Sequence, residues 1–116
     1  MRVMVIVKAT DDSEGGGPPD PAMMAAMGRF NDELRAAGIL VLADGLQPSA
    51  TGVRVAFNGA DRAVLLGPFA PAGELVAGFW IWEVRDLEEA VSWVKRCPNP
   101  MPVPSMIEIR PFNVRD

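Results

Sequence analysis

Few side chains in this sequence can perform acid–base chemistry, because the chain contains no histidine and no tyrosine. Catalytic units that pair a serine or a cysteine with an imidazole base are therefore excluded. In an enzyme, proton placement would fall to other groups, and the candidates beside the apolar segments are Lys8, Gln47 and Glu74. From the sequence we assign a catalytic role to none of them.

The sequence also lacks the residues that usually bind metal ions or phosphate. Cys97 is the only cysteine, so the chain has neither a zinc ligand set nor an internal disulfide. Gly15, Gly16 and Gly17 are followed by two prolines, which supply no backbone N–H donors for a phosphate. We therefore expect no metal and no cofactor. Cys97 lies where a helix is predicted to end, which disfavours a thiolate, so we expect it to be a small buried hydrophobic residue.

Several side chains are better suited to binding a small ligand than to reacting with it. Trp80 and Trp82 share one face of a predicted strand, where they build a core or interface, or form a stacking wall for a planar ligand. Phe69 follows a Gly-Pro turn and is either a lid or a plug. Lys8 and Arg54 are either solvated cations or partners of an anionic head group. The candidate ligand-binding residues are Lys8, Met27, Gln47, Arg54, Phe69, Glu74, Trp80 and Trp82.

Length, composition and charge limit the class of protein. The chain has 116 residues and is 49% hydrophobic, so we expect a single domain over residues 1–116. Its formal net charge is −4 and its 11 lysines and arginines are scattered, which argues against nucleic-acid binding. No segment has the ~20 apolar residues of a membrane span, and the N-terminus does not resemble a signal peptide. We expect a cytoplasmic protein without a nucleic-acid or membrane partner.

Hydrophobic periodicity predicts the elements that position these residues. Strands are predicted at 1–8, 39–46, 75–84 and 105–112, with a hairpin at 53–59 and 63–67 that turns at Asn58-Gly59 or one to two residues later. A loop at 9–21 precedes a helix capped by Asp20, and a capping box of Asp86 and Glu89 starts a second helix. The predicted buried stripe of the first helix is formed by Met23, Met27, Phe30, Leu34 and Ala37. That of the second helix is formed by Leu87, Ala90, Val91, Val94 and Cys97. This order predicts an α+β fold, a ferredoxin-like split βαβ sandwich with an added hairpin.

Both faces of the predicted sheet are apolar. On the strand at 75–84, Phe79 and Ile81 face one side, whereas Trp80 and Trp82 face the other. Two helices cover only one face, and leaving large apolar side chains exposed forgoes ~1.5–3 kcal/mol each. We therefore expect a homodimer in which a second copy packs sheet to sheet and the pair encloses a barrel.

Five segments in matching order resemble the YCII-related family, in particular its DGPF-type members. They are "GLQPS" (45–49), "GPFA" (67–70), "GFWIWEV" (78–84), "WVKRCP" (93–98) and "IEIRP" (107–111). The resemblance implies a dimeric α+β barrel, in a superfamily that includes small monooxygenases, lactone isomerases and amino-acid-sensing domains. DGPF-type relatives are often encoded beside extracytoplasmic-function sigma factors. A few members of the wider family are similar to lyases that remove halide from aromatic substrates through a histidine and an aspartate.

The sequence departs from this family pattern where chemistry is expected. The aspartate of the Asp-Gly-Pro-Phe run is replaced by Leu66, and the following acidic, threonine and lysine positions are Pro71, Ala72 and Gly73, with only Glu74 retained. The histidine of the halide-removing relatives has no counterpart. The resemblance therefore implies a site without its most reactive groups, and the leucine suggests a drier pocket.

Three functional classes remain open at this point, and the residues favour the first. It is a ligand-binding or regulatory protein without catalysis, which predicts a closed apolar cavity walled by Trp80 or Trp82 and Phe69. The second is a barrel-type lyase, isomerase or oxygenase acting on a small aromatic or cyclic substrate, which requires converging polar groups. The third is an interaction partner of a sigma factor, which predicts an exposed apolar patch that remains after dimerisation.

Overall fold

The computed structural model describes residues 1–114. Its strands are β1 (Arg2–Lys8), β2 (Leu40–Gly45), β3 (Val53–Asn58), β4 (Asp61–Leu66), β5 (Val76–Glu83) and β6 (Ile107–Pro111). Its α-helices are α1 (Asp11–Glu14), α2 (Pro21–Ala36) and α3 (Leu87–Arg96), and short 3-10 turns lie at Ser49–Thr51 and Ala72–Glu74. Helix α1 lies within the predicted loop at 9–21, where a capping box of Thr10 and Ser13 stabilises one helical turn. Within this part of the chain no helix has the length and apolar character needed to cross a membrane.

Four strands form one antiparallel sheet in the order β2-β5-β1-β6. Helix α2 connects β1 to β2 across β5, and α3 connects β5 to β6 across β1. These two split βαβ units make up the ferredoxin-like α+β fold, so the predicted fold class is confirmed. Strands β3 and β4 form a separate two-stranded sheet, which is the predicted added hairpin.

Local capping signals set the ends of the long helices. The Asp20 carboxylate accepts a backbone hydrogen bond in the first turn of α2, and Gly38, with a φ of +74°, follows its end. The Asp86 carboxylate accepts a hydrogen bond from the Glu89 N–H at 2.9 Å, as predicted. The Glu89 carboxylate, however, accepts from the Arg85 N–H at 2.8 Å. The predicted capping box is therefore only half formed, because Glu89 reaches one residue further back along the chain.

The core lies between the sheet and the two long helices. Phe30 on α2 meets the rings of Trp80 and Trp82 edge to face, with centroids 6.1 and 6.3 Å apart, as ring quadrupoles favour. The Trp82 indole N–H has no hydrogen-bond partner among residues 1–114. The largest fully buried side chains are Trp82, Leu34, Val3 and Val5. One face of β1 and β5 is thus the floor of the core.

The predicted buried stripes of the helices are partly wrong. On α3, Leu87 and Val91 are 44% and 39% exposed, whereas Trp93 packs against the core beside Phe30 at 6.3 Å. Burying the larger indole contributes more apolar area than burying a leucine, so Trp93 determines which side of α3 faces the sheet. Ala37 lies beyond the end of α2 and is exposed.

Cys97 follows the last turn of α3 and is partly buried against the core. Burial raises the pKa of the thiol to about 11, so the thiol is protonated at physiological pH. A proline-rich connector follows, and the Asn99 side chain donates a hydrogen bond to the Val103 carbonyl at 2.9 Å within it. These features agree with the view of Cys97 as an unreactive packing residue.

The second face of the sheet is covered by no helix of the described chain. Met4 and Ile6 on β1 and Phe79 and Ile81 on β5 lie on this face and pair with each other across the strands. All four are half-buried. Charged side chains of both signs surround them in the pairs Arg2 with Glu83 and Arg110 with Glu108. We call this apolar surface with its charged border the open face.

The β3–β4 hairpin, residues 53–66, projects from the body of the protein, and we call it the arm. Its strands turn at Gly59, with a φ of +60°, and Asn58 pairs with Asp61, so the turn lies one residue after Asn58-Gly59 and within the predicted range. The radius of gyration is 16.0 Å, whereas a compact chain of this length has about 13 Å. All residues of both strands are exposed, including Val53, Val55, Phe57, Val64, Leu65 and Leu66.

Candidate ligand-binding cleft

A cleft of about 1000 Å³ lies beside the edge of the sheet formed by β2. Helix α2 forms one side, and the loop after α1 and the residues following β2 form the other. The proline-rich connector at 100–102 contributes the far end, and β5 forms the floor. The volume falls at the upper end of the range of small-molecule sites.

Trp80 forms the aromatic wall of the cleft, although only 5% of its surface is exposed. Its indole N–H donates to the Asn31 Oδ1 at 2.8 Å. This hydrogen bond satisfies the buried N–H and fixes the orientation of both side chains. Asn31 lines the cleft and its amide nitrogen makes no hydrogen bond with residues 1–114, so two N–H donors are left for a ligand.

Helix α2 aligns three side chains along the cleft. Met23, Met27 and Asn31 are spaced by four residues, so they lie on one face of the helix. The two thioethers are half-buried and give a polarizable lining that adapts to the shape of a ligand. On the adjoining side of the same helix, Phe30 and Leu34 are buried in the core. The predicted apolar stripe of α2 therefore divides between core packing and cleft lining.

The loop that closes one side of the cleft is fixed by Glu14. Its Oε2 accepts a hydrogen bond from the Ser49 N–H at 2.9 Å, and its Oε1 accepts from the Ser49 hydroxyl. The Ser49 Oγ in turn accepts from the Phe69 N–H at 2.9 Å. These hydrogen bonds lower the pKa of Glu14, with the hydroxyl of Ser49 making the largest contribution. The network joins the glycine-rich loop to the base of the arm.

The Gly-Pro-Phe turn packs directly against the same Ser49. A Cβ atom on Gly67 would lie 1.8 Å from the Ser49 carbonyl oxygen, so only glycine fits there. The Gly67 N–H donates to the Gly52 carbonyl at 2.9 Å. The Arg54 guanidinium lies 4.0 Å from the centre of the Phe69 ring, a cation–π contact. These contacts attach the base of the arm to the residues around Ser49.

The ionisable side chains of the cleft are all acidic within the described residues. The carboxylates that line it are Asp12, Glu14, Asp20 and Asp44, and neither a lysine nor an arginine of residues 1–114 lines it. Three of these carboxylates accept hydrogen bonds, Asp20 as a helix cap, Glu14 from Ser49 and Asp44 from the Gly45 N–H at 3.1 Å. The border of the cleft therefore repels anions and accepts neutral or positively charged groups.

A family model described as YCII-related domain matches residues 1–113. The chain belongs to the YCII-related family. The suspected family is thereby confirmed over nearly the whole sequence. No curated protein matches this chain.

In this YCII-related protein the candidate ligand-binding residues separate into two groups. Met27, Gln47 and Trp80 line the cleft. The other five lie outside it, namely Lys8, Arg54, Phe69, Glu74 and Trp82. Sequence reasoning missed Asn31, although its position four residues after Met27 on a cleft-facing helix was a usable signal.

The structure has an open cleft in place of the closed cavity that the sequence predicted. Trp80 walls an open cleft, whereas Trp82 is fully buried in the core and Phe69 lies at the base of the arm. Leu66 does not make the site drier, because it is 77% exposed on the arm and does not line the cleft. Among residues 1–114 no three histidine, cysteine or carboxylate side chains are grouped to hold a metal ion.

The lowered pKa of Glu14 makes the loop of the cleft sensitive to acid. Because the folded-state pKa lies below the ordinary value of 4.5, the contribution of the carboxylate is present above that value and is lost as the pH falls through the folded pKa. We expect NMR titration to place the Glu14 pKa below 4.5 in the wild type and to raise it in Ser49→Ala. Ser92→Ala, on the outer side of α3, serves as the control. An unchanged Glu14 pKa in Ser49→Ala would show that the hydroxyl does not stabilise the carboxylate.

Proposed function

We propose that this protein is a non-catalytic binding or regulatory module for a small ligand with an aromatic or cyclic body. The observation that carries the proposal is the cleft in which Trp80 is held in place by Asn31 while the Asn31 amide donors stay available. A site of this kind combines an apolar wall with a few fixed polar groups, as small-molecule sites generally do.

The apolar part of the ligand would rest on Trp80 and on the two thioethers of α2. Contacts between aromatic rings add about 0.5–1.5 kcal/mol beyond their buried area, and thioether sulfur also interacts favourably with rings. A carbonyl, ether or hydroxyl oxygen on the ligand would accept from the Asn31 amide. Gln47, exposed at the mouth of the cleft, would supply a second amide.

The positions of the proton-placing candidates support binding over catalysis. Lys8 and Glu74 lie outside the cleft, whereas Gln47 lines it but carries an amide, which neither gains nor loses a proton at physiological pH. Glu14 lies inside it, but both of its carboxylate oxygens accept hydrogen bonds from Ser49. A general base must reach the proton that it removes, and Glu14 is instead committed to holding a loop.

A thermal-shift screen tests the proposal, since a ligand that binds only the folded state raises the melting temperature. The panel would hold aromatic amines, phenols, lactones, amino acids and small aromatic acids. We expect saturable shifts among the neutral and cationic compounds and smaller shifts among the acids, because the cleft is bordered by carboxylates. Absence of any shift would contradict the binding proposal. Turnover of a bound compound would contradict its non-catalytic part.

Replacing Asn31 identifies the site of binding. We expect Asn31→Ala to weaken the affinity of a compound found in the screen by about 3- to 10-fold, the usual effect of losing one hydrogen bond. Isothermal titration calorimetry measures this change. Asn58→Ala, at the tip of the arm, is the matched control. Equal affinities in the two variants would place the ligand elsewhere on the protein.

We also propose that the protein is a homodimer in which the open face packs on the open face of a second copy. Ile6, Phe79 and Ile81 are apolar and half-buried on this face, although no helix covers them. The charged border carries both signs, so the same surface can complement itself about a two-fold axis. The pair would enclose the barrel that the family resemblance implies.

A further inference from the structure

The arm presents a second apolar surface that the open face does not include. Val55 pairs with Val64 and Val53 with Leu66, so these four side chains share one face of the hairpin. Their exposed fractions range from 47% for Val55 to 77% for Leu66. Phe57 extends the same face toward the tip and is 74% exposed.

The arm makes few contacts with its own body. Its two strands pair with each other and with no strand of the main sheet. Arg54, on the opposite face of the hairpin, is the side chain that contacts the Phe69 turn. A two-stranded hairpin alone is at best marginally stable in water, so an arm with an apolar face needs a covering surface.

The charge of the arm indicates which kind of surface covers its apolar face. The arm contains two arginines, Arg54 and Arg62, and one aspartate, Asp61, which gives a net charge of +1. The rest of the chain contains nine basic and fourteen acidic residues, which gives −5. Arg62 lies on the apolar face beside Phe57, whereas Arg54 and Asp61 lie on the other face, so the positive charge of Arg62 favours an acidic covering surface such as the body of another copy.

The area of the open face also supports a contact between the arm and a second copy. Four strands about 4.8 Å apart and about 20 Å long cover roughly 400 Å². A standard stable interface buries about 800 Å² on each partner. The arm adds a surface of roughly half the area of the open face, so a dimer that uses both surfaces comes closer to the standard size than one that uses the open face alone.

We propose that the apolar face of the arm, formed by Val53, Val55, Phe57, Val64 and Leu66, packs against the body of a second copy of this chain. The inference rests on the proposed homodimer and adds a second contact to it. Each arm would then be covered by the other copy, and the two copies would clasp each other reciprocally.

Neighbouring residues on opposite faces of the arm provide the test. Val64→Asp places a carboxylate on the apolar face, whereas Ala63→Asp places the same charge on the other face, next in sequence. Sedimentation equilibrium of the full chain measures the dimer dissociation constant. We expect Val64→Asp to raise this constant about tenfold or more, because an unpaired charge is buried at the interface, and Ala63→Asp to change it by less than about threefold. Near-ultraviolet circular dichroism of the buried tryptophans checks that both variants keep their fold.

The possible results distinguish a dimer contact made by the arm from one made by the open face. Equal dissociation constants for the two variants, with a dimeric wild type, would overturn the arm contact and leave the open-face dimer intact. A monomeric wild type at micromolar concentration would overturn both proposals and leave the arm available to a different protein.

Amide hydrogen exchange in residues 53–66 provides a second measurement, and we expect it to accelerate on dilution together with dissociation. Exchange that does not depend on protein concentration would also overturn the arm contact.

Discussion

Replacing Trp82 with alanine is expected to lower the free energy of unfolding by about 3–5 kcal/mol, the usual effect of truncating a buried tryptophan. Trp82 is fully buried and packs against Phe30 and Trp80, so its removal leaves a cavity at the centre of the core. Domains of this size have a total stability of about 5–15 kcal/mol. The variant should therefore be close to unfolding at 25 °C.

Urea denaturation followed by far-ultraviolet circular dichroism measures this loss. Leu87→Ala, at an exposed position of α3, is the control and should change stability by less than about 1 kcal/mol. Trp82→Phe keeps most of the packing and removes the unpartnered indole N–H, so its loss should be smaller than that of Trp82→Ala. A loss in Trp82→Ala no larger than that in Leu87→Ala would contradict the assignment of Trp82 to the core.

Replacing Ile81 with glutamate is expected to convert the protein to a monomer. Ile81 lies at the centre of the open face, and a two-fold axis would bring one new carboxylate from each copy into the same dry interface. An unpaired charge buried at an interface costs about 2–5 kcal/mol, and here each dimer would contain two. The dissociation constant should therefore rise by about 100-fold or more.

Light scattering coupled to size-exclusion chromatography at several concentrations measures the change. Leu87→Glu introduces the same charge at an exposed position on the helix side and should leave the wild-type mass unchanged. A monomeric wild type, or an Ile81→Glu variant that stays dimeric, would contradict the proposed role of the open face. Because Ile81 lies on the face opposite Trp80, ligand binding measured in the monomeric variant would show that the cleft works without the second copy.

Much of the fold was predictable because its signals are local. Asp20 and Asp86 mark the starts of the long helices through side chains that cap nearby N–H groups. The Asn58-Gly59 pair marked the hairpin to within one residue, because glycine readily adopts a positive φ. The prediction for α3 was less accurate, since periodicity alone ranked Leu87 and Val91 with Ala90, whereas the packing of Trp93 against Phe30 determined the orientation.

The cleft was predictable only in part, because its lining comes from distant segments of the chain. Trp80 and Met27 stood out by residue type and spacing, and both line it. Phe69 and Trp82 were equally prominent in sequence but lie at the base of the arm and in the core. Asn31 shares a helix face with Met27 through its four-residue spacing, but its pairing with Trp80 is visible only from the 2.8 Å hydrogen bond.

The sequence by itself determined the six strands, the two long helices, the fold class and the family, since these depend on periodicity, capping residues and motifs that are contiguous in the chain. It also excluded imidazole chemistry, because composition alone shows that histidine is absent. Only the tertiary structure decided which tryptophan faces the cleft, which carboxylates border it and how far the arm stands from the body. Alternation along β5 puts Trp80 and Trp82 on the same face of the strand. Their different burial depends on the helices above them, and that arrangement is set by packing between segments far apart in sequence.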